Sequence, residues 1–284
     1  MQIRIGSHPN NLSLFILRHR GVLESAATQR GWHIAWIDYT QGARSGERLA
    51  RGELDVVGTG STPPISAQAG GLAVAYLASS PSRDASCALL TRKDRDITSL
   101  QGRRIAAMIG SFTDHFLARL LHKQQLKRGD VELVDIQGQA ALDALLADDI
   151  DGWLAVDPWL SRARQHPELQ PIARVGDEIV NRSLFWSRAD WAQQQPHAAA
   201  WLVAQLALND SWIAQHPQQA AQLLAQHLPG AIDQQDWQRT LGARPWGITP
   251  ADAALIAEQQ QQADDLFAVG FIPAAVNLTP RSHS

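Results

Sequence analysis

Twice along this 284-residue chain, short runs of strand-forming residues end in turns rich in Gly, Ser, Thr or Asn and give way to helical stretches. That alternation restricts the fold more than any other feature. In the first series the strand-like runs are IRIG (3–6), HIAWIDY (33–39), DVVG (55–58) and AVAYLAS (73–79). Between the first two, Leu12, Phe15, Ile16, Val22, Leu23 and Ala26 recur at helical spacing, which predicts one helix ended by Gly31. The second series opens at ASCALLT (85–91) and continues through RIAAMIG (104–110), VELVDI (131–136) and GWLAV (152–156). Such βαβ alternation predicts an α/β protein of two lobes, each a mainly parallel sheet flanked by helices.

The composition changes after about residue 182. LFWS (184–187) reads as one more strand, and residues 189–270, rich in Ala, Gln, Leu and Trp, predict a C-terminal helical layer. The expected division is 1–82 for the first part of lobe 1, 83–183 for lobe 2, and 184–284 for the return to lobe 1. Short strands near 80–86 and 180–185 would cross between the lobes, leaving the ligand between them. QQQQ at 259–262 reads as the surface face of an amphipathic helix.

In open α/β sheets ligands meet the carboxyl ends of strands, where turns and helix N-termini converge. Four turns qualify: SHPNN (7–11), GTGSTPP (58–64), GSFTDH (110–115) and VDPWL (156–160). GTGSTPP is not a phosphate loop of the GxxxxGK type, because the next lysine after Gly60 is Lys93 and prolines offer no N–H. Pro63 and Pro64 suit the first turn of a helix, with Thr62 expected as its N-cap, turned to the Ile65 N–H. The donors left over, the N–H groups of Gly60, Ser61 and Thr62 and the Ser61 hydroxyl, match one small oxyanion. GSFTDH repeats the pattern with Ser111 and Thr113, and Asp114 is assigned to stabilising its own helix start. His8, in the first turn, either donates to an oxyanion or stacks on a ligand, or else serves as a cap or surface residue. Trp159 reads as a pocket wall, and Asp157 beside it caps a helix or meets a cationic group.

Composition removes other classes. A net charge of −3 gives no electrostatic basis for binding nucleic acid. No apolar run approaches the roughly 18 residues of a membrane span. Cys87 is the only cysteine, which excludes an intrachain disulfide, and its apolar surroundings read as core. The ten histidines form no HExxH or similar pattern, so neither a metal nor any other cofactor is expected. MQIRIG carries no leader pattern, which leaves two expectations: a cytoplasmic protein, or a mature chain bearing an added Met1.

Several segments together resemble the periplasmic solute-binding components of ABC importers for aliphatic sulfonates, taurine and nitrate. They are RIG (4–6), LARGELDVVGTGSTPPISAQAGG (49–71), LQGRRIA (100–106), GSFTDHFLARLL (110–121), ALLADDIDGWLAVDPWL (144–160), ARPWGITP (243–250) and AEQQQQADDLFAVGFIP (257–273). The likeness is nearest to the alkanesulfonate branch. It implies a two-lobed periplasmic-binding-protein type II fold that closes on a small organic sulfonate, with a membrane permease as partner, a periplasmic location and a monomeric state. The family's oxyanion contacts would fall on Ser61, Thr62, Ser111, Thr113 and His8 or Asn11. Val156 and the Phe112–His115 turn depart from the family pattern, which bears on the ligand's tail. An enzymatic alternative on the same scaffold, a desulfinase-like C–S hydrolase, uses a cysteine in the first turn, where SHPNN has none; another small oxyanion or sulfur-containing solute is a further alternative. Arg83 and Arg244 read as surface or interlobe pairs rather than as counter-charges for a ligand.

Overall fold

The computed structural model describes residues 1–278. Among these residues two sheets form. The first contains β1 (Gln2–Ser7), β2 (His33–Asp38), β3 (Val56–Thr59), β4 (Val74–Ser79), β10 (Leu184–Arg188) and β11 (Thr249–Pro250). The second contains β5 (Cys87–Arg92), β6 (Arg104–Ala106), β7 (Glu132–Val134), β8 (Gly152–Val156) and β9 (Leu169–Arg174). Their orders are β11-β4-β10-β3-β1-β2 and β7-β6-β8-β5-β9. Leaving aside the short β11, the two sheets share one plan. Three strands order as second, first, third, and a strand arriving from the other lobe sits between the third and the fourth.

That inserted strand explains why neither sheet is mainly parallel. The βαβ units pair in parallel, β1 with β2 and β3, and β6 with β7 and β8. The incoming strands, β10 and β5, enter from the opposite end and pair antiparallel with both neighbours. Both sheets are therefore mixed, and the parallel core is confined to the βαβ units.

The first predicted helix is two. Gly21, at φ +66°, ends α1 (Leu12–Arg20) and turns the chain into α2 (Val22–Thr28), a left-handed conformation that costs glycine little. Helices α3 (Ser45–Ala50) and α4 (Thr62–Ala69) complete the first series, and α5 (Phe112–Lys123), α6 (Gly138–Leu146) and α7 (Trp159–Ala163) belong to the second. Helices α8 (Ala189–Gln194), α9 (Pro196–Gln215), α10 (Pro217–His227), α11 (Gln234–Gly242) and α12 (Ala253–Val269) make the C-terminal layer.

Not all of that layer stays with the first sheet. Ala263, Leu266 and Val269 of α12 share a core with Phe116, Leu117 and Leu121 of α5, beneath the second sheet. Ile65 of α4 joins the same core, so α12 spans from one lobe to the other. Its glutamine run is a surface face only in part: Gln261 is exposed and Gln260 half-buried, but Gln259 is 0% exposed and Gln262 3%. Helical geometry turns residues three apart to the same side, and here that side faces inward.

The two crossing segments, expected as short strands, are irregular over 80–86 and 180–183, and they run beside each other. Ser80 N donates to Ser183 O at 2.9 Å and Arg83 N to Asn181 O at 2.8 Å. Side chains add Ser183 N to Ser80 Oγ at 2.9 Å, Asn181 N to Ser82 Oγ at 3.0 Å and Arg182 Nη1 to Ser80 O at 3.0 Å.

Candidate functional site: an anion seam between two lobes

The carboxyl ends of β1 and β3 lie side by side, and the turns leaving them pack closely. Asn11 is the N-cap of α1, its Oδ1 accepting from Leu14 N at 3.1 Å. A Cβ on Gly58 would lie 2.6 Å from Asn11 Nδ2 and 2.7 Å from Leu14 Cδ1, so only glycine lets the start of α1 approach β3 this closely. His8 Nε2 lies 2.6 Å from Gly58 O. A carbonyl only accepts, so Nε2 carries the proton and donates it there. Burial lowers the His8 pKa to about 4, which keeps the ring neutral and leaves Nδ1 without a proton. His8 therefore braces the Gly58 turn and has no donor to offer an oxyanion.

The GTGSTPP turn differs from expectation in its cap. Ser61, not Thr62, occupies the N-cap of α4, and its φ −75°, ψ −32° are already helical. A capping side chain reaches the next N–H groups from an extended backbone, so here neither hydroxyl folds back. Ser61 Oγ and Thr62 Oγ1 are both buried and, among the described residues, without a protein partner, as is Asn11 Nδ2. Buried polar atoms are normally satisfied. Three unsatisfied groups at adjoining strand ends mark a place where a polar ligand would complete the bonding.

The second lobe's turn, expected to match, does not. Ser111 caps α5, its Oγ accepting from Thr113 N at 3.2 Å. Thr113 Oγ1 donates to Met108 O at 3.0 Å and contacts Ser111 Oγ at 3.0 Å. Thr113 has one hydroxyl proton, and Met108 O takes it, so the proton between the two hydroxyls is the one on Ser111. Both hydroxyls are thus consumed within the turn. Asp114 Oδ2 accepts from Gly110 N at 2.8 Å, and burial raises its pKa to about 7. What this turn presents to the other lobe is Phe112: a Cβ on Gly60 would sit 3.3 Å from Phe112 Cβ.

Two arginines complete the seam. Arg83, from the first crossing segment, lies with its guanidinium 5.8 Å from the Phe112 ring centre and donates through Nη2 to Asn181 Oδ1 at 3.1 Å. Arg244, in the loop after α11, lies 4.4 Å from the Trp246 ring centre, and its Nε is buried without a partner among the described residues. Among the described residues neither makes a salt bridge. Burial, and for Arg83 the repulsion of Arg244, lowers their pKa values to about 9 and about 10. Asp157 and Asp210 attract Arg244 from a distance, and burial raises the pKa of each carboxyl. Asp210 accepts from Gly247 N at 3.2 Å. Buried guanidinium groups are costly unless countered, and their planar forks suit tetrahedral or planar oxyanions.

The lobes touch on both rims. Asn10 Nδ2 lies 3.3 Å from Met108 Sδ. A Cβ on Gly110, at φ +83°, would come within 2.9 Å of Ala43 Cβ. On the other side Arg162 of α7 donates to Ala231 O and stands 3.5 Å from Asp236 Oδ2 of α11. Trp159 packs against the second lobe's core around Leu142 and Trp153 and also against the cluster of Ile213, Leu224 and Trp237 in the first. Asp157 caps its own short helix, Oδ1 accepting from Ser161 N at 2.9 Å and from Ser161 Oγ at 2.7 Å. Surface concavities of about 390 and 630 Å³ lie elsewhere, against α10 and along α12. The unsatisfied groups at the ends of β1 and β3, rather than a surface hollow, mark the candidate site.

Comparison with known proteins bears on the family and the fold. A protein of Escherichia coli strain K12 named as a putative aliphatic sulfonates-binding protein is 24% identical over 98% of this chain and 88% of its own length. The solved alkanesulfonate-binding protein SsuA from Xanthomonas axonopodis pv. citri, bound to MOPS, superposes with a TM-score of 0.83 at 26% identity, covering 98% of this chain and 96% of that one. The periplasmic aliphatic sulphonate binding protein SsuA from Escherichia coli gives a TM-score of 0.84 at 24% identity, with 98% and 95% covered. The profile of the family described as NMT1/THI5-like matches residues 28–220, well over half of the sequence, and the chain is a member of that family.

Proposed function

We propose that this chain is the solute-binding component of an ABC import system, working in the periplasm as a monomer and delivering a small organic sulfonate to a membrane permease. The observation that carries the reading is Arg244: a half-buried guanidinium with an enclosed Nε and, among the described residues, no salt bridge, set near enough to Arg83 to repel it. A sulfonate head offers three acceptor oxygens and one negative charge, which complements two guanidinium forks and a set of hydroxyl, amide and N–H donors. Oriented N–H groups at the start of α4 add partial positive charge.

The relatives' names support the same ligand class, and MOPS, bound in one of them, carries a sulfonate. The organic tail is assigned to the side of Phe112, which faces Gly60, or of Trp159, which packs against clusters of both lobes. A hydrolytic reading has no support in the chemistry of Cys87: it is buried, and burial pushes its thiol well above the usual range, the reverse of an activated nucleophile.

Titration calorimetry with ethanesulfonate, taurine, sulfate and nitrate tests the assignment. Tightest binding is expected for a sulfonate. Tight binding of sulfate or nitrate with no heat from either sulfonate would overturn it.

A further inference from the structure

We propose that Gln259 is a positioning residue for the anion site, acting through the peptide that joins Ser61 to Thr62; the inference rests on the reading that this turn receives the ligand's oxyanion. Gln259 lies in a run of four glutamines, of which Gln260 and Gln261 bond to Asp264 and Asp265 of their own helix. Gln259 instead is fully buried and donates through Nε2 to Ser61 O at 3.1 Å and to Tyr76 Oη at 3.2 Å. Tyr76 Oη in turn donates to Gln68 Oε1 at 2.9 Å, so its oxygen is free to accept from Gln259. The opposite amide orientation would set Gln259 Oε1 against the Ser61 carbonyl, two acceptors face to face. The bond to Ser61 O is therefore directional.

In a trans peptide the C=O and the following N–H point in opposite directions. Holding the Ser61 carbonyl against α12 thus aims the Thr62 N–H away from α12. Thr62 opens α4, where an N–H has no intrahelical acceptor. Pro63 and Pro64 behind it have no N–H at all, so Thr62 carries the leading donor of that helix end. A bond to the carbonyl also polarises the amide and strengthens its N–H as a donor. Gln262, one turn on, reaches a different target, Val180 O at 3.4 Å in the second crossing segment. The same face of α12 carries Asp265, which accepts from His115 and Arg119 of α5. Of these side chains only Gln259 bonds the GTGSTPP turn.

The test compares Gln259→Leu with Gln262→Leu, which removes an equally buried amide from the same helix. Calorimetry with ethanesulfonate and amide hydrogen exchange of Thr62 in the ligand-free protein are the two readouts. Gln259→Leu is expected to raise the ethanesulfonate Kd about tenfold and to change Thr62 exchange by a similar factor, while Gln262→Leu leaves both within about twofold. Equal effects of the two substitutions, or a Gln259→Leu Kd within about twofold of the parent, would overturn the proposal. If the parent protein itself binds no sulfonate, the ligand assignment falls separately, and unaltered Thr62 exchange in Gln259→Leu still refutes the positioning role. Should Gln259→Leu not fold, Gln259→Glu decides: only its protonated form donates to Ser61 O, so affinity must recover as pH falls from about 8 to about 5. A pH-independent Kd in that variant refutes the proposal.

Discussion

Arg83 and Arg244 repel each other across the interlobe seam, Arg83 buried and Arg244 half-buried with its Nε enclosed, and neither is neutralised by a salt bridge among the described residues. Such an arrangement costs stability in the ligand-free protein and repays it when an anion binds. Replacing Arg244 by Met, which keeps an unbranched side chain of similar reach, is therefore expected to move binding and stability in opposite directions. Loss of charge-assisted bonds worth about 1.5–3 kcal/mol should weaken ethanesulfonate binding by roughly ten- to a hundredfold. The ligand-free melting temperature should hold or rise, since a half-buried charge is removed. Calorimetry and thermal denaturation of the same preparations check both signs; a fall in melting temperature with unchanged affinity would make Arg244 a structural residue.

The two glycine turns are predicted to respond differently to the same substitution. Ser61→Ala deletes a hydroxyl that no protein group uses, so folding stability should change little while the ethanesulfonate Kd rises by about tenfold, the equivalent of one hydrogen bond to a charged group. Ser111→Ala deletes the N-cap of α5 and a partner of Thr113. It should cost about 1 kcal/mol of stability and leave affinity within about threefold. Urea denaturation alongside calorimetry separates the two, and a larger affinity loss for Ser111→Ala would place the head group on the second lobe's turn.

Much of this was legible in the residues because strands and turns announce themselves locally. The βαβ alternation, the turns at 58–64 and 110–115 and the crossings near 80–86 and 180–185 all depend on short-range pattern and turn chemistry. What stayed hidden depends on burial. Arginine is mostly exposed in folded proteins, so nothing in PSRD or ARPWG announces that Arg83 lies inside or that the Arg244 Nε is enclosed. Glutamine runs read as solvated for the same reason, yet Gln259 and Gln262 point inward because α12 packs across both lobes. Strand β9 went unrecognised because LQPIAR contains a proline and exposes Pro171 and Ile172, as an edge strand can. The difference between the Ser61 and Ser111 turns rests on backbone angles that two similar Gly-Ser sequences do not disclose.

His8 predicts an acid limb in stability. Its folded pKa, lowered by burial to about 4, lies below the ordinary value of 6.5. Between these values the unfolded chain binds a proton that the folded one refuses, so the contribution of His8 is complete above pH 6.5 and is lost as pH falls through about 4. A shift of this size corresponds to about 3 kcal/mol. Asp114 slopes the other way. Its carboxyl is raised to about 7 from 3.8, so its contribution is complete below pH 3.8 and is lost as pH rises through about 7. His8→Gln, which keeps an N–H for Gly58 O, should flatten the acid limb, and Asp114→Asn should flatten the limb between about pH 4 and 7. Denaturant midpoints across pH 3.5–8 for the three proteins measure this directly; parallel curves would remove both assignments.

The Arg162 contact predicts how closure is held. Arg162 reaches from α7 to the Ala231 carbonyl and Asp236 on the far rim, and its guanidinium lies 5.8 Å from the centre of the Trp159 ring, which is itself wedged between the lobes' cores. Its side chain is 35% exposed, so the ion pair contributes modestly, about 0.2–1 kcal/mol, and weakens in salt. Arg162→Met should therefore raise the ethanesulfonate Kd by no more than about fivefold, acting through faster release rather than slower capture if the lobes part to let the ligand in and out. It should also abolish most of the salt dependence of the release rate. Stopped-flow tryptophan fluorescence at low and high ionic strength reports both, since Trp159 packs against clusters of both lobes. A slower association rate with unchanged release would show that Arg162 steers the ligand rather than holding the lobes together.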